Sequence, residues 1–78
     1  MLSKIEEQEI LDNIGKNIRD LRTAKCLSQF QLNVDAELSK NQIGRIERGE
    51  RNVKITTLYK IAKALNVNIS EIINLKQT

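Results

Sequence analysis

Seven basic side chains lie between Lys40 and Lys63: Lys40, Arg45, Arg48, Arg51, Lys54, Lys60 and Lys63. Only Glu47 and Glu50 oppose them. Cations at that density suit a polyanion partner, because their summed field attracts phosphate without any specific geometry. The rest of the chain sharpens the contrast. Residues 1–12 set Lys4 against Glu6, Glu7, Glu9 and Asp12, whereas residues 13–78 hold twelve bases and six acids.

Most other side-chain chemistries are excluded. There is no histidine, and Cys26 is the only cysteine. One chain therefore cannot assemble a zinc or iron-sulfur site, nor a Ser-His or Cys-His nucleophilic pair. The acids cluster only at the N-terminus. Gly44 and Gly49 have the spacing of a phosphate loop, but no Lys-Ser/Thr follows and no strand precedes them. The expectation is a protein that is not an enzyme, with no metal and no cofactor.

These residues must be positioned by a small scaffold. Seventy-eight residues make a single domain, 1–78, of marginal stability that gains from oligomerisation. No apolar run approaches 18 residues and no signal-peptide pattern opens the chain, so a cytoplasmic location without membrane contact is expected. Proline is absent, and apolar residues recur at the helix period. Ile10 or Leu11, Ile14, Ile18 and Leu21 line a first helix that ends near Lys25. Ser3 and Glu6 fit a capping box at its start, which makes residues 1–12 an acidic N-terminal extension of that helix. Leu58, Ile61, Ala62 and Leu65 stripe a fourth helix with a poor cap in Lys54. Ile69, Ile72 and Ile73 stripe a short fifth, capped by Asn68 and Glu71.

Between these lie two near-copies of one hexapeptide, LSQFQL from Leu27 and LSKNQI from Leu38, eleven residues apart. A serine N-cap accepts the amide three residues on, and a glutamine there reaches back to the serine amide. The flanking apolar residues then close a hydrophobic staple. Each copy is thus expected to start a helix, with Gln31 and Gln42 as the reciprocal partners. Starts at this distance leave room for about two turns of helix and a tight turn, which is helix-turn-helix spacing.

The text IGKNIRDLRTAKCLSQ, then LSKNQIGRIERGERN, then TTLYKIAKALNVNISEII resembles the lambda-repressor/Cro-like (XRE) helix-turn-helix family from Ile14 to Ile73. The resemblance implies an all-α, compact five-helix domain with its helix-turn-helix at residues 28–48. It implies a bacterial or phage-derived regulator that binds double-stranded operator DNA as a homodimer. In size the chain also looks like the controller proteins of restriction-modification systems. An antitoxin or protein-interaction module of the same fold is the alternative, with toxin contact in place of free-standing regulation.

Carried over from the family, the recognition helix is Ser39 to about Arg48. It leaves Lys40, Asn41, Gln42 and Arg45 for base edges, while Gln42 is shared with its capping role. Ser28, Gln29, Arg48, Arg51, Asn52 and Lys54 are implied to contact the DNA backbone. Gln29 is also implied to steady the reading helix. Arg22 and Glu47 match a structural salt bridge. The dimer surface is expected around Tyr59, Asn66, Val67, Ile69 and Ile73, on the last two helices.

The chain departs from the family pattern at three kinds of position. Cys26 and Glu37 stand where glycine is common, and Asn33 replaces a small alanine and needs a hydrogen-bond partner if buried. Phe30 and Val34 replace acidic residues. Either the N-terminal extension covers that pair through Leu2 or Ile5, or they form a contact surface for another protein such as an RNA polymerase subunit. Gly44 within the reading helix permits close approach of a neighbouring helix or of a base edge.

Overall fold

The computed structural model describes residues 1–50 and 52–74, and its five helices enclose one apolar core. They are α1 (Lys4–Ala24), α2 (Gln29–Asp35), α3 (Gln42–Glu47), α4 (Ile55–Leu65) and α5 (Ile69–Ile72). No strand occurs among the described residues. α1 packs on α3 and α5, α2 on α3 and α4, and α4 on α5. Ile18, Leu32, Ile43, Ile61, Leu65 and Ile72, drawn from all five helices, are fully buried at the centre.

The Ser3 hydroxyl accepts the Glu6 amide, and the Glu6 carboxylate accepts the Ser3 amide, so α1 begins where its capping box directs. The first two turns of α1 then overhang the core, and Leu2 and Ile5 stay exposed.

The ends of α1, α2, α3 and α4 share one device. After α1, the Leu27 amide returns to the Arg22 carbonyl and the Cys26 amide to that of Thr23. The same double closure follows α2 (Leu38 to Asn33, Glu37 to Val34), α3 (Glu50 to Arg45, Gly49 to Ile46) and α4 (Val67 to Ala62, Asn66 to Lys63). This is the Schellman motif, which needs a left-handed residue after the cap. Cys26, Glu37, Gly49 and Asn66 supply it, with φ between 57° and 69°. Three of these are not glycine, so each closure stores about 1 kcal/mol of backbone strain.

The doubled hexapeptide follows from this device. Leu27 and Leu38 each terminate one helix and lead into the next element. The starts differ, however. Ser28 caps α2 by accepting the Gln31 amide at 3.0 Å, but Gln31 does not reach back; its side chain donates to Asp35 instead. The second copy makes no capping box at all. Ser39 is not the N-cap of α3, which begins at Gln42 after a left-handed Asn41 with φ 68°. The helix starts are thus farther apart than the copies. The reason is tertiary: Asn33, buried in α2, places its Oδ1 3.0 Å from the Ile43 amide and satisfies the start of α3 from outside. Ser39 Oγ donates to Gln42 Oε1 at 3.0 Å, so that pair is joined side chain to side chain.

Candidate nucleic-acid interface

α3 is held by one buried carboxylate. Glu47, at its last turn, accepts from Arg22 Nε at 2.6 Å and Arg22 Nη2 at 3.0 Å. It also accepts from Gln29 Nε2 at 2.9 Å. Arg22 Nη1 continues to the Leu27 carbonyl at 2.8 Å. This charge-assisted fork ties α1, the α1–α2 turn, α2 and α3 to one point. Its side chains are 13% and 3% exposed, and the carboxylate raises the Arg22 guanidinium above its already high ordinary value by hydrogen bonding.

Two further contacts fix the inner faces of α3. Gly15 lets α1 approach so closely that a Cβ there would lie 2.5 Å from the Ile46 carbonyl oxygen. At the far end, Gln8 Nε2 donates to the Gly49 carbonyl and to Asp12 Oδ1, both at 2.9 Å. The N-terminal extension therefore braces the turn that follows α3. Neither contact is visible in sequence, because the partners lie about thirty to forty residues away.

So held, α3 and the turn before it present their polar side chains outward. Lys40, Asn41 and Arg45 are exposed and Gln42 is half-buried. Asn41 makes no capping bond, which leaves its amide for an outside partner. Gln42 has its oxygen committed to Ser39 and keeps its amide hydrogens. The helix expected from Ser39 to about Arg48 is shorter, running Gln42–Glu47 with Arg48 as C-cap, so Lys40 and Asn41 project from a turn.

The flanking groups differ in what they leave free. Ser28 is engaged as the α2 cap, and Gln29 spends one amide hydrogen on Glu47 and retains another. Arg48 is exposed and paired with Glu50, which raises its guanidinium above the usual value by hydrogen bonding. Asn52 and Lys54 are exposed, and with Ser39, Lys40, Gln42 and Arg45 they border a shallow cleft beside α3. Arg51 lies outside the described residues.

A second cleft opens between α2 and α3. Of the two alternatives for Phe30 and Val34, cover by the N-terminal extension is not found among the described residues. Phe30 and Val34 are 74% and 53% exposed, and Leu2 and Ile5 are themselves exposed at the free end of α1. Docking of α1 begins only at Gln8, which turns toward Gly49 and leaves α2 uncovered. On α4, α5 and the turns after them, Tyr59 and Ile73 are exposed, Val67 and Ile69 are partly buried, and Asn66 closes α4. Ile55, which sequence reasoning passed over, is 56% exposed on α4.

Residues 18–72 match a family model described as helix-turn-helix. Control protein C.SmaI of Serratia marcescens is 38% identical over 65 residues, spanning 83% of this chain and 77% of that protein. Control protein C.BamHI of Bacillus amyloliquefaciens is 36% identical over 61 residues, spanning 77% and 75%. The crystal structure of the restriction-modification controller protein C.AhdI from Aeromonas hydrophila superposes with a TM-score of 0.77 at 40% identity. It covers 80% of this chain and 94% of that one.

Proposed function

This chain belongs to the helix-turn-helix family, and from that premise we propose that it is a sequence-specific DNA-binding transcriptional regulator that acts as a homodimer on a two-fold operator. The observation that carries the reading is the rigid mounting of α3, whose inner face is fixed by Glu47, Asn33 and Gly15 while Lys40, Asn41, Gln42 and Arg45 face out. A helix so braced enters the major groove as one body, and its side chains meet base edges in fixed register. Arg or Lys suits guanine O6 and N7, and Asn or Gln suits adenine N6 and N7. Ser28, Gln29, Arg48, Arg51, Asn52 and Lys54 take the phosphates on either side.

The whole chain acts as one domain, with residues 1–12 as a brace. Tyr59, Asn66, Val67, Ile69 and Ile73 form the dimer surface. Control of a restriction-modification system is the narrower reading, supported by the similarity to controller proteins over most of both chains. Its site of action is the bacterial cytoplasm, in keeping with helices none of which, among the described residues, is long and apolar enough to cross a membrane.

Selection of bound duplexes from a random pool, followed by affinity against salt, tests the reading. A symmetric motif with half-sites about 34 Å apart is expected. A steep salt dependence without any enriched sequence would reduce the interaction to electrostatics and remove the regulator.

A further inference from the structure

The α2–α3 cleft, of about 630 Å³, has walls of opposite character. Phe30 and Val34, one turn apart on α2, form an apolar wall. Gly44 and Arg45 of α3, with Asn41 and Arg48 at its two ends, form a polar and cationic wall. The cleft stays open because Gly44 has no side chain; a Cβ there would lie 3.2 Å from Gln29 Oε1. A solvated phenyl ring inside a cationic cleft needs a ligand that is anionic overall and apolar at one point. Duplex DNA offers one such point in the major groove, the 5-methyl group of thymine.

We propose that Phe30, backed by Val34, is a specificity-determining residue that recognises a thymine methyl at the edge of the site read by α3. The proposal rests on the placement of α3 in the major groove. It adds a base contact from the supporting helix, from a residue that offers no hydrogen bond. The ring shares one cleft with Asn41 and Arg45, so a base adjacent to those they meet comes within its reach. Burial of the methyl against the ring removes apolar surface on both partners from water, and cytosine, which lacks the methyl, gains nothing there.

The test uses the full chain and the duplex enriched from the pool, with each thymine replaced in turn by deoxyuridine. This deletes the methyl and keeps the base pair. At one thymine per half-site the replacement should weaken the original protein about three- to fivefold, the effect of one buried methyl. Phe30→Ala should bind the thymine and uracil duplexes alike, and Phe30→Leu should recover part of the difference. All three proteins should melt alike, because Phe30 is exposed. If uracil replacement costs the original and Phe30→Ala proteins equally at every position, the proposal falls while base reading by α3 stands. Unchanged DNA binding by Phe30→Ala with lost activation of transcription would assign the patch to a protein partner and also overturn it. A pool with no enriched motif removes the premise and the proposal together.

Discussion

Glu47 is the residue at which a single change reaches furthest, because three donors from two helices converge on its carboxylate. Arg22→Ala leaves that charge buried without its cationic partner and is expected to cost about 3–5 kcal/mol in urea unfolding. Adding Glu47→Leu should restore much of the loss, since removal of both charges leaves neither one buried alone. The outward residues behave differently. Arg45→Ala should leave stability unchanged and relax preference at one base pair in each half-site by about 1–3 kcal/mol. Lys54→Ala should weaken all duplexes about equally and make the slope of log K against log salt shallower by about one unit, read by titration at several salt concentrations. The types of these residues were legible in sequence, as was the Arg22–Glu47 pairing through family resemblance. The service of Asn33 to the Ile43 amide was not, because nothing local marks an amide that will be orphaned ten residues away.

Among the elements, the helix ends determine more than the helix interiors. Cys26 and Glu37 hold left-handed conformations that glycine adopts without strain. Cys26→Gly and Glu37→Gly are each expected to stabilise the domain by about 0.5–1 kcal/mol, seen as a rise in Tm of several degrees. Gly15→Ala has the opposite sign. Alanine favours an isolated helix, but here its methyl would meet the backbone of α3, and overpacking of about 1–3 kcal/mol outweighs the helix gain. Thermal melting of the two classes separates strain at a turn from contact between helices. The serine and glutamine spacing correctly announced an element after each Leu-Ser, but it misplaced the start of α3. A capping box is a local offer, and the tertiary cap from Asn33 displaced it.

For the whole molecule, the proposed reading divides the surface between two duties. It assigns the groove-directed groups to the α2–α3 cleft and the dimer contact to α4 and α5, where Ile55, Tyr59 and Ile73 leave apolar surface exposed. Tyr59→Glu combined with Ile73→Asp should give a folded monomer by sedimentation. Its operator affinity should fall at least tenfold, because each half-site must then be bound independently. Retention of a dimer would move the interface elsewhere. In the acidic segment of residues 1–12, Gln8 bonds both Asp12 and the Gly49 carbonyl after α3, and Phe30 stays exposed.

The sequence by itself determined the helices, their apolar stripes, the cationic stretch and the residue types available to a groove, because these depend on period and composition within a few turns of chain. Only the tertiary structure decided where α3 begins, what braces it, and that Phe30 stands open beside Arg45 rather than beneath the N-terminal extension. Those outcomes depend on distances between residues remote in sequence. A buried amide, a missing Cβ or an uncovered ring becomes consequential only when another element arrives within reach, or fails to.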